Sequence, residues 1–253
     1  MRDTFKIVSN EKLCPKFYKL CLEAKSIAQK AKPGQFVHIR VNAELEPFFR
    51  RPFSIHRANK YLEICYEVIG PGTKILAAKK PGENLDILGP LGNGFMLPPQ
   101  GIKKVAIVAG GMGVAPFLAL TDQLKKKYEI ILLYGGRTKD HIFSLKAYKD
   151  NGCKIYISTD DGSVGTKGRV SELFSKIIPD ASTYIYTCGP KPMIKAVQDF
   201  ANKHQLKGQA SLEEVMACGV GVCLGCATAT IHGYKTVCHD GPVFELGEVV
   251  LGK

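Results

Sequence analysis

Four of the chain's nine cysteines, Cys218, Cys223, Cys226 and Cys238, fall within 21 residues near the C-terminus, spaced Cys-x4-Cys-x2-Cys-x11-Cys. The other five, Cys14, Cys21, Cys65, Cys153 and Cys188, stand apart. An odd total, with no apolar h-region in the first twenty residues, argues against a disulfide framework and against export. The expectation is a reducing, cytoplasmic setting, where clustered thiols point to metal. The first three cysteines have the spacing of a plant-type [2Fe–2S] loop. Gly219, Gly221 and Gly225 separate the ligands; glycine lets a backbone turn sharply and aim N–H groups at sulfur. The apolar Val220, Val222 and Leu224 are expected to limit water access. Structural zinc is the competing reading. Zinc sites, however, generally pair two short Cys-x2–4-Cys knuckles, whereas three ligands here share one loop. The isolated cysteines read as small buried hydrophobes.

The rest of the chain is long enough, at 253 residues and 45% hydrophobic, to build more than one domain. Residues 1–98 read as an antiparallel β barrel. Apolar or alternating runs such as Gln35–Val41 and Tyr61–Ile69 are cut by Pro33-Gly34, Pro71-Gly72 and Pro81-Gly82. A short helix is predicted over Thr73–Lys79. Residues 99–205 change texture. Val105–Ala109 is a continuous apolar run, as in a strand buried on both faces. A helix over Ala115–Lys127, strands at Ile130–Tyr134 and Lys154–Ser158, a helix near Ser171–Ile177, a strand at Tyr184–Thr187 and a helix over Pro190–Lys203 follow. That alternation predicts a doubly wound α/β domain on a parallel sheet. Residues 206–253 show little periodic structure and hold the cysteine cluster.

Between the strand at Val105–Ala109 and its helix lies Gly110-Gly111-Met112-Gly113-Val114-Ala115-Pro116. Backbone N–H groups and the dipole at a helix start suit a pyrophosphate. Pro116 stands in place of the third glycine of the strict dinucleotide fingerprint, so the turn alone is a weak signal. After the strand at Lys154–Ser158 come Asp160 and Asp161, whose charge would repel the 2′-phosphate of NADP and favour NAD(H). An exposed Asp-Gly turn is the competing reading.

Lysine and arginine total 35 against 23 acids, a net charge of +12. Residues 209–253 carry five acids and two lysines, a local −3, so the part before them carries +15. The lysines are scattered and no nucleic-acid recognition motif accompanies them; solvated faces are the simpler explanation. The uncharged, mostly apolar stretch Val105–Leu120 is too short and too rich in glycine to span a bilayer. Neither a nucleic acid nor a membrane is therefore expected as a partner.

Several further motifs make sense together as a resemblance. Arg51-Pro52-Phe53-Ser54 is similar to the flavin signature of the ferredoxin reductase superfamily. Cys65-Tyr66-Glu67, Gly70-Pro71-Gly72-Thr73, the run Leu88–Phe95, the glycine-rich turn and Cys188-Gly189-Pro190-Lys191-Pro192-Met193 fit the same superfamily. The stretch Ala217–Cys226, ending in Val237-Cys-His-Asp-Gly-Pro-Val-Phe244, resembles more narrowly the electron-transfer subunits of type B dihydroorotate dehydrogenase, over nearly the whole chain.

That resemblance implies three resident or exchanging groups: FAD, a [2Fe–2S] cluster and NAD(H). It places Arg51, Pro52, Phe53, Ser54, Cys65, Tyr66, Glu67, Gly72 and Thr73 at FAD, with Arg51 at the phosphates and Ser54 near the ring. Glu67 stands where many relatives are expected to carry a base. At the nicotinamide nucleotide it places Gly110, Gly111, Gly113, Ala115, Pro116, Asp160, Asp161, Cys188, Gly189, Pro190 and Met193. The four clustered cysteines become the cluster ligands, and no side chain acts as a catalytic acid or base. The implied partner is an FMN-containing catalytic subunit, two of each forming a heterotetramer, with dihydroorotate oxidised there in pyrimidine biosynthesis. Hydride exchange is a two-electron event and a cluster passes single electrons, so the flavin must stand between them. Two rival readings are the small FAD and [2Fe–2S] subunit of an NADH-dependent ferredoxin:NADP oxidoreductase or sulfide dehydrogenase, and a zinc-stabilised nucleotide- or nucleic-acid-binding module without redox activity.

Overall fold

The computed structural model describes residues 2–177 and 182–252. The N-terminal third consists of β1 (Arg2–Lys12), β2 (Phe17–Leu22), a one-turn α1 (Lys25–Ala28), β3 (Phe36–Arg40), β4 (Arg51–Ala58), β5 (Leu62–Glu67), α2 (Pro71–Ala78) and β6 (Asn84–Leu91). The strands close an antiparallel barrel in the order β1-β2-β5-β4-β3-β6. Alternation sets its interior: Phe5, Ile7, Leu20, Leu22, Val37, Ile39, Ile55, Ile64, Leu85 and Ile87 are all buried and form one core. The alternate residues of β3, Phe36 and His38, face away from that core yet are also buried, so another element covers them.

The second unit comprises β7 (Lys104–Gly110), α3 (Phe117–Leu124), β8 (Glu129–Gly136), α4 (Leu145–Asp150), β9 (Lys154–Thr159), β10 (Thr166–Lys167), α5 (Phe174–Ile177), β11 (Thr183–Cys188) and α6 (Lys191–Lys203). Val105–Ala109 is wholly buried, as a run apolar on both faces requires. Residues of α3 and α4 pack on one face of the sheet. Residues of α5 and α6 pack on the other. The helix expected from Ala115 starts later, at Phe117, because Gly111–Val114 forms a 3₁₀ turn first.

The tail is more regular than its composition suggests. β12 (Gly208–Ser211) and β15 (Val243–Glu245) extend the sheet to seven strands, ordered β10-β9-β8-β7-β11-β12-β15; β13 (Ala227–Thr230) and β14 (Gly233–Thr236) form a separate hairpin. β15 runs antiparallel to β12, so the sheet is parallel except at that edge. Hydrophobic periodicity cannot reveal a four-residue Gly-Gln-Ala-Ser strand, which joins the sheet through its backbone pairing with β11.

Polar contacts lock barrel and sheet together. Arg57 of β4 donates Nε and Nη2 to the Asp122 carboxylate of α3 at 2.7 and 2.8 Å. Asn151 Nδ2 donates to the same carboxylate at 3.0 Å. Phe95 stacks on Phe117 and meets Tyr186 edge-on, each with ring centroids 5.3 Å apart. Partial burial opposes ionisation of Asp122, but Arg57 and Asn151 outweigh it and hold the carboxyl below its ordinary range. Asp122→Asn, which strands the Arg57 guanidinium, is expected to cost about 1–3 kcal/mol and lower the melting temperature at neutral pH. Because the folded carboxyl is the more acidic, its contribution is present above the unfolded value of about 3.9 and fades as pH falls through the folded value. Parent and variant melting curves recorded down to that range should therefore converge.

Candidate functional site

Between barrel and sheet lies a cleft of about 340 Å³. Its barrel wall carries Arg51, Pro52, Phe53, Ser54, Cys65, Tyr66, Glu67 and Thr73. The facing wall brings Met112 and Ala115 from the glycine-rich turn, and Ser211, Glu213, Met216 and Pro242 from the tail. Register explains part of this convergence: Phe36 of β3 lies opposite Ser54, and His38 opposite Pro52.

At one end the Arg51 guanidinium lies over Gly72, where a Cβ would stand only 3.1 Å from Nε. The Gly72 and Thr73 backbone opens α2. The Thr73 hydroxyl is engaged locally, accepting from the N–H groups of Ile69 and Gly70 at 3.0 and 3.2 Å. What this corner offers an anion is thus a guanidinium and backbone N–H groups at a helix start. Tyr66 borders the cleft but its ring is buried with the barrel core, and its hydroxyl donates to Asn10 at 2.9 Å; Asn10 in turn donates to the carbonyls of Leu76 in α2 and Lys79 just after it. Ring and helix are fixed as a unit.

The chain reverses direction across the sheet between β7 and β11, which are parallel neighbours with Cys188 opposite Ala109. Their carboxyl ends form the crevice where open α/β sheets bind nucleotides. Gly113 passes so close to β11 that a Cβ would stand 2.2 Å from the Cys188 carbonyl oxygen. A Cβ on Gly110 would meet Met193 and Pro190 at 2.9 Å, and one on Gly189 would meet Met193 at 2.8 Å. These residues form one tight knot behind Gly111, Ala115 and Pro116. The Cys188 thiol is fully buried, 4.0 Å from Glu213 Oε1. Burial and Glu213 push that thiol well above its ordinary value. Glu213 is an exposed residue of the cleft lining; desolvation by the cleft walls, then Glu67, raises its carboxyl. Asp160 and Asp161 sit apart from the knot, past the end of β9 beside Gly136 and Arg137. Asp161 is turned into its own loop, accepting from Ser163 N and Oγ at 2.9 and 2.7 Å.

The four clustered thiols are linked two by two through the backbone, the Cys223 N–H meeting Cys218 Sγ and the Cys238 N–H meeting Cys226 Sγ. Among the described residues, no three or more His, Cys, Asp or Glu side chains gather on a single-ion site. Val220 and Cys223 N–H groups point at Cys218 Sγ, both at 3.4 Å; Gly221 N–H points at Cys238 Sγ at 3.0 Å; Cys238 N–H points at Cys226 Sγ at 3.4 Å. Burial alone would raise the Cys218 thiol, but those donors bring it down to about 6, whereas burial and Cys226 push Cys238 up to about 12. Two sulfur pairs ringed by N–H donors fit a binuclear iron–sulfur cluster, with two thiolates for each iron.

Gly219 and Gly221 adopt the left-handed region at φ +72° and +82°; Gly225 does not, and Leu224 does so instead at +59°. The apolar residues of the loop do not shield the thiols as expected. Val222 is 79% exposed, Leu224 64%, and Cys223 is itself exposed, while Cys226 and Cys238 are buried. Side chains of a tight loop around one centre radiate outward, and here they make an apolar rim.

Gly219 packs against His38 of β3, a fully buried residue neither of whose ring nitrogens makes a hydrogen bond. Burial and the nearby Arg50 push this imidazole down to about 4, so the ring is neutral at physiological pH. Sequence reasoning missed His38 and Glu213 alike, since neither lies in a local motif and only the fold brings them to the site. Of the five isolated cysteines, four are buried as expected; Cys14 is half-buried.

Residues 107–199 match the family model of the oxidoreductase NAD-binding domain, and residues 213–250 that of the iron-sulfur cluster binding domain of dihydroorotate dehydrogenase B. The chain is 39% identical over 254 residues to the dihydroorotate dehydrogenase B (NAD(+)) electron transfer subunit of Desulforamulus reducens, covering 97% of each chain. It is 39% identical over 260 residues to the same subunit of Bacillus caldolyticus, covering 99% of each. Among solved structures, that of an NADH-dependent reduced ferredoxin-NADP oxidoreductase superposes with a TM-score of 0.87 at 28% identity, over 98% of this chain and 90% of that one. A ferredoxin NADP+ reductase from Neisseria gonorrhoeae with bound FAD and NADP shares the fold, with a TM-score of 0.69 at 19% identity over 80% of this chain and 91% of that one.

The contact between Gly113 and β11 supplies a direct test of the crevice. Gly113→Ala is expected to raise KM for NADH about tenfold or more, a loss of about 1.4 kcal/mol, with flavin content unchanged. Steady-state kinetics beside flavin quantification would check it.

Proposed function

The chain belongs to the family of electron transfer subunits of NAD+-linked dihydroorotate dehydrogenase B, and from that premise we propose how its residues carry the reaction. It is an oxidoreductase subunit that uses FAD, an iron–sulfur cluster and NAD(H), and works with a separate catalytic subunit. The substrate, dihydroorotate, is oxidised on that partner; we take the partner's own group to be FMN and the assembly to be two of each subunit. When bound, FAD supplies the conversion between hydride exchange with NAD(H) and single-electron exchange with the cluster.

Arg51 and the N–H groups of Gly72 and Thr73 bind the FAD phosphates, with Arg51 supplying the charge. Pro52, Phe53, Ser54, Cys65 and Tyr66 hold the ring system on the barrel wall. Glu67 contributes through its backbone, since its carboxylate would repel a phosphate and already faces Glu213. Gly110, Gly111, Gly113, Ala115 and Pro116 seat the NAD pyrophosphate, and Cys188, Gly189, Pro190 and Met193 shape the nicotinamide end. Asp160 disfavours a 2′-phosphate more directly than Asp161, whose carboxylate is held by Ser163. Asp160→Ser combined with Asp161→Arg is expected to raise the NADPH-to-NADH ratio of kcat/KM at least about tenfold, the order expected from one charge reversal beside a phosphate. Parallel kinetics with the two nucleotides would read it.

Cys218, Cys223, Cys226 and Cys238 hold the cluster, and the observation that carries the whole reading is their gathering beneath N–H donors against the outward face of β3, the strand that pairs with the Ser54 segment of β4. The exposed rim of Val222 and Leu224 beside the exposed Cys223 suits docking of the catalytic subunit, where electrons enter. The solved oxidoreductase at 28% identity favours a second reading, with the same groups and another electron donor. One experiment separates them: co-expression with the dihydroorotate-oxidising subunit and assay of dihydroorotate-dependent NAD+ reduction. The expected complex contains FAD and iron and reduces NAD+ only when both chains are present. Val222→Asp should weaken co-purification at least about tenfold, about 1.4 kcal/mol, without removing FAD or iron. Full NAD+ reduction by the partner alone, or unchanged assembly of the variant, would count against this account.

A further inference from the structure

Burying an imidazole with both nitrogens unbonded is costly, and a side chain needed only for packing at position 38 would be better made of carbon. His38 is nevertheless fully buried on the outward face of β3, beside Phe36, with neither nitrogen hydrogen-bonded. What it faces is the thiol loop. A Cβ on Gly219 would lie 2.4 Å from His38 Nδ1, and the Cys218 and Arg50 backbones are the polar groups within the ring's reach. Gly219 is thus required twice, by its φ of +72° and by the ring lying against it.

We propose that His38 is a positioning residue for the cluster: its Nδ1, unbonded in this structure and lying against Gly219, donates its proton to the neighbouring Cys218 carbonyl once the cluster is in place, and holds that peptide so that the following N–H groups stay trained on Cys218 Sγ. The inference rests on the iron–sulfur reading of the four cysteines and deepens it. Val220 and Cys223 N–H groups sit at 3.4 Å from that sulfur, long enough for a small loop displacement to weaken them. Donors aimed at a ligating sulfur stabilise the more negative, reduced state of a cluster, so they raise its potential. His38 also lies opposite Pro52, so one five-residue strand carries both the flavin wall and the support of the loop.

The test is an EPR-monitored redox titration of the complete protein, parent against His38→Leu and His38→Gln, with iron, flavin content and flavin circular dichroism measured alongside. His38→Leu should keep FAD, its dichroism and its iron, but show altered g-values and a midpoint potential shifted to more negative values. His38→Gln, which can still donate a hydrogen bond, should recover part of that shift. If His38→Leu does not accumulate as folded protein, His38→Met, similarly apolar but unbranched, carries the same comparison. Superimposable spectra and equal potentials in parent and apolar variant would overturn the proposal, as would equal shifts in the apolar and glutamine variants. A parent protein without iron would instead overturn the cluster reading on which it stands.

Discussion

The outward face of β3 pressed against the tail is the contact on which the rest of this molecule depends. Phe36 shares a core with Cys226, Cys238, Val237 and Phe244, while His38 receives Gly219. The thiol loop has little of its own to hold it: Val222 and Leu224 are turned to solvent, and its hydrogen bonds run largely to sulfur. A loop of that kind takes its shape from the wall behind it. The same strand pairs with β4 and sets the position of Pro52 and Ser54 beside His38 and Phe36. The placement of the cleft relative to the thiol loop is therefore tied to the register of two paired strands.

Exposure gives the arrangement a direction. The Cys218–Cys223 side of the loop meets solvent, and the Cys226–Cys238 side is buried against β3 and the sheet. The cleft in turn opens between barrel and sheet, bounded by the turn that packs on Cys188. An exposed outer face, a buried middle and an inner crevice are the three parts of the candidate site. Arg57 with Asp122 and the aromatic packing around Phe95 keep the two halves of the cleft in register.

Much of the site was legible because its parts are local. A helix start must have its anion-binding N–H groups adjacent in sequence, and a cluster loop must have its ligands two and four residues apart, so Gly72, Gly113 and Cys218–Cys226 announce themselves. The interiors of β7 and the barrel were legible for the same reason, since burial on both faces or on one imprints a period on the chain. β12 carried no such imprint, because four small or polar residues are recruited to the sheet by backbone pairing with β11 and β15. The outward direction of Val222 and Leu224 was misjudged because apolar composition does not say which way a tight loop turns its side chains.

The sequence by itself determined the chemistry: four thiols with iron–sulfur spacing, an arginine-led flavin signature, and a glycine-rich turn between a strand and a helix. These follow from covalent spacing and from the presence or absence of Cβ, which folding cannot change. Only the tertiary structure decided which groups face one another. It set His38 against Gly219, Glu213 beside Cys188 and Glu67 across from Glu213, all pairs far apart in the chain. The physical reason is that such pairings come from the packing of a closed barrel against a mixed sheet, where the register of β3 with β4 and the addition of β12 and β15 to the sheet fix positions that no local pattern encodes.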